Sequence, residues 1–528
     1  CKETGAIQIA FYRGDTSSDD HLALKIFHAG EPVALSRRVP LLENLGFKVI
    51  SEQTHEIFLD GQEGVTNTVV LHDMEEAFLS VWRGDTDNDG YNRLVTNAGL
   101  SVREATVLRA YARYLRQAGI PYSQEYIAHS LNRHSGIAAR LLELFRIRFD
   151  IDTKPAERAA QSESLIEAIE AALAEVPSID DDRILRRCVN AIESSLRTNY
   201  FQTGDDGAPR PALAFKLDPK KLEGLPEPRP FREIFVYGSE VEGVHLRFGP
   251  VARGGLRWSD RAQDYRTEVL GLVKAQQVKN AVIVPVGAKG GFYPKKLPLD
   301  GGRDAIFEAG RDAYKLFIRT LLSVTDNIVG DAIIPPANTV RHDADDPYFV
   351  VAADKGTATF SDTANALSQE QDFWLDDAFA SGGSAGYDHK KMGITARGAW
   401  EAVKRHFREM DIDIQTTPFT AAGVGDMSGD VFGNGMLLST QIRLLAAFDH
   451  RDIFIDPDPD CAVGFAERSR LFELGRSSWQ DYDTSKLSKG GMIIPRALKS
   501  VELTPEAAAV VGLEPGKATP QDIMTAIL

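Results

Sequence analysis

The spacing of apolar residues changes near position 230, and this change restricts the possible folds of the chain. Across residues 75–196 the apolar residues recur every three to four positions, as in helices packed on a core. After residue 230, short apolar runs such as 234–237 and 244–248 alternate with helical stretches such as 265–279. Strands that alternate with helices indicate α/β domains. The sequence therefore predicts a multidomain α/β protein with a helical region before its sheets.

Length, charge and cysteine content exclude several classes of protein. The 528 residues suggest about three or four domains, and no uncharged apolar run is long enough to cross a membrane. The net charge of −16 opposes binding to nucleic acid or to an anionic membrane surface. Cys1, Cys188 and Cys461 are too scattered for a disulfide framework or a zinc site, which favours a reducing, cytoplasmic compartment and no bound metal.

The amino-terminal region reads as strand, helix, strand, strand. We predict strands at 24–27, 47–50 and 69–71, and a helix at 33–45 that ends at Gly46. This βαββ order resembles an ACT-type regulatory module.

Later segments read as a linker and further strands and helices. We interpret the Pro- and Gly-rich residues 205–232 as a connection between domains. A helix is predicted at 303–322 and buried strands at 281–285 and 348–353. A second α/β unit begins near residue 412, with recognisable strands only to about residue 455.

A lysine surrounded by glycines forms the most informative motif. Arg253-Gly254-Gly255-Leu256-Arg257 precedes a predicted helix, and the predicted strand at 281–285 leads into Gly287-Ala288-Lys289-Gly290-Gly291. Glycines let the backbone approach a ligand closely, so we place Lys289 on a Gly-rich turn after the strand. A phosphate loop is excluded because Gly290, and not Ser or Thr, follows the lysine. An isolated motif would be a solvent-exposed turn, but cations on both sides favour an anion-binding cleft, where the lysine could act as a base or bind a carboxylate.

Four signatures in a fixed order resemble those of one family, the glutamate dehydrogenases and their relatives. Two are the Arg-Gly-Gly-Leu-Arg and Gly-Ala-Lys-Gly-Gly motifs above. The third, Ala353-Asp354-Lys355-Gly356-Thr357, resembles the family's Pro-Asp-x-Gly-Thr motif. The fourth consists of Gly382-Gly383-Ser384 and Thr395-Ala396-Arg397-Gly398, which resemble the family's signatures near the domain hinge. The amino-acid sequences of these motifs are similar to those of the large-subunit NAD-dependent enzymes of bacteria. This resemblance covers essentially the whole chain.

The resemblance implies roles for five residues around the substrate. Lys289 would hold and activate the water that attacks the iminium intermediate, and Asp354 would carry protons to and from the amino nitrogen. Arg253 would bind the side-chain carboxylate of the substrate. Lys279 would bind the α-carboxylate, but its spacing to Lys289 is shorter than in the small hexameric enzymes. Lys274 therefore remains a rival for that role.

A glycine string in the last quarter of the chain predicts a dinucleotide site. Gly423, Gly425 and Gly429 form a Gly-x-Gly-x-x-x-Gly pattern after a strand, and we predict a helix after it through residues 436–445. The pyrophosphate of a dinucleotide would lie at the amino terminus of that helix.

An acidic residue after the next strand predicts the choice of cofactor. Asp449 lies about 20 residues beyond the glycines, where an acid binds the ribose 2′-hydroxyl and repels a 2′-phosphate. NAD is therefore favoured over NADP, and Asp452 and Asp456 are rivals for this position because strand boundaries are uncertain from sequence. The resemblance adds Thr395 as the partner of the nicotinamide carboxamide.

We expect four parts: an ACT-like module at 1–75, a helical region and linker at 76–230, an α/β substrate domain at 231–405, and a partial Rossmann-type NAD domain at 406–528. Both ends are expected to be cuts in a longer polypeptide, so the chain by itself should have little activity.

The resemblance implies NAD-dependent oxidative deamination of L-glutamate to 2-oxoglutarate and ammonia. It also implies a homo-oligomer and an amino-acid effector at the ACT-like module. One alternative is a related amino-acid dehydrogenase, although Arg253 argues for an acidic substrate. The other is a non-catalytic, amino-acid-sensing module, against which the presence of Lys289 and Asp354 argues.

Overall fold

The computed structural model describes residues 7–12, 23–27, 34–49, 69–204, 206–276, 286–384, 386 and 389–528, with only the backbone at 69–72 and 389–390. Lys279 and the predicted strand at 281–285 lie outside these residues. The chain divides into two compact units, Cys1–Gly383 and Ser384–Leu528.

The first unit opens with two antiparallel strands and a helix, which are β1 (Gln8–Tyr12), β2 (Ala23–Phe27) and α1 (Leu35–Asn44). The predicted strand at 24–27 and helix at 33–45 are confirmed, and Gly46 follows the helix with a φ of 94°. The first strand was not predicted. The predicted strand at 47–50 is wrong for residues 47–49, which belong to no strand, and residue 50 lies outside the described residues.

The predicted strand at 69–71 is wrong, because these residues begin α2 (Val69–Arg83). Met74, Ala77 and Phe78 are buried along this helix, at a spacing of three to four residues. A three-residue apolar run cannot be assigned to strand or helix by itself, and here the period of the following residues decides.

The predicted helical region is confirmed. Helix α4 (Val102–Gln117) begins after Ser101 with a capping box. The Ser101 hydroxyl accepts from the Glu104 amide, and the Glu104 carboxylate accepts from the Ser101 amide. The helices are α3 (Leu94–Ala98), α4 (Val102–Gln117), α5 (Gln124–Arg133), α6 (Ser135–Phe149), α7 (Pro155–Leu173) and α8 (Ile179–Glu193).

A six-stranded sheet forms the centre of the first unit. Its strands are β3 (Ser195–Thr198), β4 (Ala212–Leu217), β5 (Arg232–Gly238), β6 (Val241–Arg247), β7 (Leu256–Trp258) and β8 (Ala288–Pro294). Their order is β3-β4-β5-β6-β8-β7, and only the pair β7–β8 is parallel. Helix α9 (Tyr265–Gln276) lies between these two strands in the sequence.

Both faces of this sheet are covered. Leu213 and Phe215 of β4 pack with the helical region, whereas Ala212 and Ala214 pack with α10 (Gly302–Leu322). The interpretation of residues 205–232 as a connection is therefore wrong for β4, which is a fully buried strand. Its short apolar run lacks the strict alternation that marks a half-exposed strand, because both of its faces are buried.

The first unit ends with a hairpin and a helix, which are β9 (Asn327–Val329), β10 (Ala332–Ile334) and α11 (Ser361–Glu370). The predicted helix at 303–322 is confirmed by α10. The predicted strand at 348–353 is wrong, apart from a single bridge of Val351 to Ala380. The hydrogen bonds of this segment go to different parts of the chain, so no continuous ladder forms.

The second unit contains a four-stranded sheet in the order β11-β12-β13-β14, in which only β11–β12 is parallel. Its first elements are α12 (His389–Met392), α13 (Ile394–Arg408), β11 (Phe419–Val424), α14 (Asp430–Gly435), β12 (Ile442–Phe448) and β13 (Asp452–Ile455). The later ones are α15 (Cys461–Glu473), β14 (Met492–Pro495), β15 (Val501–Leu503), α16 (Pro505–Val511), β16 (Gly516–Ala518) and α17 (Pro520–Ile527).

The predicted helix through residues 436–445 is wrong, because α14 ends at Gly435 and β12 begins at Ile442. Ile442, Leu444 and Ala446 are buried at every second position, which is the period of a strand. Strands also continue beyond residue 455, since β14 completes the sheet.

The boundaries at 75, 230 and 405 stay predictions, although β3 and β4 of the central sheet come before residue 231. In the described ranges, no helix is long and apolar enough to span a bilayer.

Candidate functional site

Lys289 lies within a strand, so its predicted position on a Gly-rich turn is wrong. It is in β8, directly opposite Leu246 of β6. The flanking glycines are needed for close packing, because a Cβ at Gly291 would lie 2.6 Å from Cγ2 of Val269 and one at Gly290 would overlap Leu256. The glycines allow a helix and a neighbouring strand to close around the lysine.

Strand register places Arg257 and Lys289 on one face of the sheet. The chain from Arg253 onward runs parallel to β8, with Arg253 opposite Gly287 and Arg257 opposite Gly291. Side chains alternate along a strand, so Arg257 and Lys289 point to the face on which α9 packs. A Cβ at Gly254 would overlap the carbonyl oxygen of Ala288, so this approach requires a glycine.

Asp354 reaches the same place along the outer edge of β7. The amide of Leu256 donates to the carbonyl of Ala352 (3.0 Å), and that of Trp258 donates to the carbonyl of Lys355 (3.0 Å). The buried hydroxyl of Thr357 accepts from the Asp354 amide (3.1 Å) and donates to the carbonyl of Leu256 (2.7 Å). These bonds fix the backbone of Asp354 against β7.

Lys289 and Asp354 form a close pair. The Nζ atom of Lys289 lies 2.6 Å from Oδ2 of Asp354, and the two side chains are 4% and 24% exposed. The contact is an ion pair rather than an aligned hydrogen bond. Shielding from water strengthens the attraction, and the exposed part of Asp354 leaves room for exchange of a proton with a ligand.

A buried ion network anchors the segment before Asp354. The amino group of Lys216 lies 2.6 Å from Asp343 and 2.7 Å from Asp346, and Arg247 also pairs with Asp346. Burial lowers the pKa of Lys216. Burial would raise the pKa of Asp346, but Arg247 and Lys216 bring it below its ordinary value. The carboxylates are thus held ionised between cations, and they tie the segment to the sheet.

The predicted substrate cations are not all gathered here. Arg253 donates from Nη2 to Oγ of Ser381 (3.4 Å), and no carboxylate of the described ranges lies within 4 Å of its guanidinium. Lys274 is exposed on α9. Lys279, the first candidate for the α-carboxylate, lies outside the described residues.

Gln276 was missed by sequence reasoning. Its Oε1 atom is buried and accepts no hydrogen bond from the described chain. It lies beside the arginine motif, because a Cβ at Gly254 would be 3.0 Å from this oxygen. Its position seven residues after buried Val269, on the same helical face, could have indicated that it points toward the sheet.

The glycine string of the second unit surrounds the turn between β11 and α14. Gly423 lies in β11, Gly425 has a φ of 143°, and Gly429 is the residue before α14. A Cβ at Gly425 would lie 2.8 Å from Cβ of Phe432. Thr395 is exposed in the first turn of α13.

Asp449 directly follows β12, at the same sheet edge as the glycine turn. Its Oδ1 accepts from the amides of Arg451 (2.6 Å) and Asp452 (2.7 Å), while Oδ2 is buried without a hydrogen-bond donor among the described residues. Burial raises the pKa of Asp449, and the nearby Asp426 carboxyl raises it further. A carboxylate oxygen of Asp426, a carboxylate oxygen of Asp449 and a ring nitrogen of His450 all lie within 4.8 Å of one another.

The rival acids already have internal partners. Oδ1 of Asp452 accepts from the side-chain amide of Gln480 (2.6 Å), but its Oδ2, like that of Asp449, is buried without a hydrogen-bond donor among the described residues. Asp456 accepts from the backbone amide of Ser488 (3.0 Å) and lies at the opposite end of β13. This arrangement disfavours Asp456 and leaves Asp449 and Asp452 at the edge of the glycine turn.

Comparison with known families agrees with the signatures in the sequence. Residues 168–528 match the family described as bacterial NAD-glutamate dehydrogenase, catalytic domain. Residues 86–151 match glutamate dehydrogenase, helical motif 3, and residues 6–80 match glutamate dehydrogenase, ACT3 domain.

Individual relatives match this chain over its whole length. The NAD-specific glutamate dehydrogenase of Halomonas elongata is 51% identical over 100% of this chain and 33% of its own length. That of Pseudomonas aeruginosa is 50% identical over 100% of this chain and 34% of its own. The chain thus spans about a third of the length of these curated relatives. A solved glutamate dehydrogenase aligns with 71% of this chain and 68% of its own at 15% identity and a TM-score of 0.34, too distant for further argument. The chain belongs to the bacterial NAD-glutamate dehydrogenase family.

Proposed function

We propose that the full-length polypeptide containing this chain catalyses the NAD-dependent oxidative deamination of L-glutamate to 2-oxoglutarate and ammonia. The observation that carries the proposal is the contact of 2.6 Å between buried Lys289 and Asp354. A buried ammonium beside a partly exposed carboxylate is suited to moving protons in a water-poor site.

In this proposal Asp354 accepts a proton from the substrate amino group and later returns one to the departing ammonia. Lys289 holds the water that attacks the iminium carbon of the oxidised substrate and stabilises the oxygen as its charge grows. Bound NAD would supply the hydride acceptor.

The proposed substrate class follows from Arg253. A guanidinium without a carboxylate partner in the described ranges can bind a side-chain carboxylate in two parallel hydrogen bonds. We therefore assign Arg253 to the distal carboxylate. Lys279, Lys274 and the Gln276 carboxamide are the candidates for the α-carboxylate.

The second unit fits a dinucleotide. The buried Oδ2 of Asp449, which has no donor among the described residues, can accept a hydrogen bond from a ribose hydroxyl. The glycine turn brings the backbone of Gly425 and Gly429 to the start of α14. We propose these residues, with Gly423 and Thr395, as the NAD contacts. The acid at position 449 would repel a 2′-phosphate.

The experiment follows glutamate-dependent NADH formation in the full-length polypeptide. Lys289→Ala and Asp354→Asn should each lower kcat by about a thousandfold, within the range for lost proton transfer. Lys296→Ala is the matched control, because this lysine is 44% exposed and pairs with Glu240. Wild-type turnover of Lys289→Ala would refute the assignment.

Three further properties are part of the proposal. We propose a homo-oligomer, an amino-acid effector bound by the ACT3-matching residues 6–80, and a cytoplasmic location. The family match supports the effector, and the free thiols of Cys188 and Cys461 are consistent with the location. Sedimentation of the full-length polypeptide and amino-acid titration of its activity would test the first two.

A further inference from the structure

Asp354 has a second cationic neighbour. Nη1 of Arg257 lies 3.7 Å from Oδ2 of Asp354, the same oxygen that Lys289 contacts. Arg257 is opposite Gly291 in the register of β7 and β8, so it shares the face of Lys289. One carboxylate oxygen therefore lies between two cations that come from adjacent strands.

The direction of the Arg257 side chain is fixed from α9. Its Nε donates to Oε1 of Glu268 (2.7 Å), and the hydroxyl of Ser259 donates to Oε2 of the same carboxylate (2.7 Å). Ser259 is buried, and its own amide donates to the carbonyl of Phe292 (2.8 Å). Since Glu268 occupies Nε, the far end of the guanidinium is directed toward Asp354.

We propose that Arg257 is a positioning residue for Asp354, and that Glu268 and Ser259 hold it in that role. This inference rests on the proposed function of Asp354. Lys289 from β8 and Arg257 from β7 face the carboxylate, and Glu268 from α9 balances Arg257. Lys355 follows Asp354 in the chain and is exposed, and Arg253 donates to Ser381.

Loss of Arg257 has two expected effects. Asp354 keeps a single cationic partner and can move, and the remaining positive charge favours its ionised form less strongly. Because the misplaced group takes part in proton transfer and not in carboxylate binding, kcat should change more than the KM for glutamate.

The test uses the full-length polypeptide. Arg257→Gln should lower kcat by about a hundredfold, the size of effect expected for a catalytic group displaced by about 1 Å. The acidic limb of its pH profile should move to higher pH. Arg257→Lys should restore part of the rate. Arg261→Gln is the matched control, because Arg261 pairs only with exposed Asp264 among the described residues, and it should leave the rate and the profile unchanged.

A double variant separates positioning from simple charge balance. Arg257→Gln leaves Glu268 unpaired, which could distort the site by itself. In Arg257→Gln/Glu268→Gln that charge is removed. The proposal expects the double variant to stay slow with its acidic limb still displaced. Recovery of wild-type kcat in the double variant, or a normal rate and profile in Arg257→Gln, would overturn it.

The result can be read independently of the proposed function. If Lys289→Ala is inactive while Arg257→Gln behaves as wild type, only the positioning role fails. If Lys289→Ala is fully active, the proposed chemistry itself fails.

Discussion

Gly254, which lies beside α9, and Gly271, which lies within it, differ in why the position is a glycine. Gly254 is buried where the chain approaches β8, and a Cβ there would overlap the carbonyl oxygen of Ala288. Gly271 lies on the exposed side of α9, and no atom of the described residues, apart from the neighbouring backbone of its own helix, lies within 4 Å of an added Cβ. The first glycine is required for the approach of two backbones, and the second only loosens a helix.

Gly254→Ala should therefore lower the free energy of unfolding by about 3 kcal/mol, since backbone must move to make room. Gly271→Ala should raise it by about 1 kcal/mol, because alanine is the better helix former. Thermal melting of both variants beside the parent chain would check the pair. A neutral result for Gly254→Ala would contradict the close approach.

The carboxylate after β12 leads to a prediction about the cofactor. Asp449→Ser should weaken NADH binding about tenfold, a loss of about 1.4 kcal/mol, and should narrow the preference over NADPH because a negative charge is removed. Fluorescence titration with both cofactors measures this. Asp458→Ser is the control, since Asp458 is 83% exposed. An unchanged preference in Asp449→Ser would move the ribose site elsewhere.

At the scale of elements, prediction from the sequence succeeded where the apolar period is long and failed where runs are short. Helices α4, α6 and α10 were predicted because their apolar stripe continues over several turns. The triplet at 69–71 and the buried run of β4 carry too few residues to show a period. The helix predicted through 436–445 overlaps the start of β12. Lys289, Asp354 and Arg253 could be singled out by motif, but the contact of Lys289 with Asp354 depends on strand register and on the edge of β7.

Helix α15 provides a pH prediction. Glu467 accepts hydrogen bonds from Arg470 and Lys486, which hold its pKa at about 2, below its ordinary value of 4.5. A carboxyl whose pKa is depressed in the folded state stabilises that state above about pH 4.5, and this contribution is lost as the pH falls toward about 2.

Glu467→Gln should lower the free energy of unfolding by about 2 kcal/mol at pH 7, and the difference from the parent chain should shrink in acid. Melting curves between neutral and acidic pH measure the difference. Glu473→Gln, at an exposed position of the same helix, should show neither effect. A difference that stays constant with pH would exclude this ion cluster as the cause.

At the scale of the whole molecule, each unit has its own apolar cores. The first contains the core of the helical region with one sheet face and the core under α10. The second contains two smaller cores around β12 and β13. A sequence reading could separate these parts by composition and motif, but it placed β3 and β4 outside the domain whose sheet they complete.

Residues 384–528 should fold without the first unit, because their buried residues pack with one another. The isolated segment should show strand and helix signals by circular dichroism and a cooperative melting transition. Mutating Trp479, which is fully buried, to Ala should abolish that transition, whereas Gln521→Ala at an exposed position should not. A segment that melts without cooperativity would contradict the prediction.

Because Lys289 is a strand residue and not a loop residue, the register of β8 with β6 determines the direction of its side chain. Sliding that alignment by one residue would turn the ammonium to the side of the sheet covered by α10 and separate it from Asp354. Under the function proposed for Lys289 and Asp354, a molecule misfolded in this way would keep its secondary structure but lack activity. The activity of the full-length polypeptide would then report whether β8 and β6 have paired in this register.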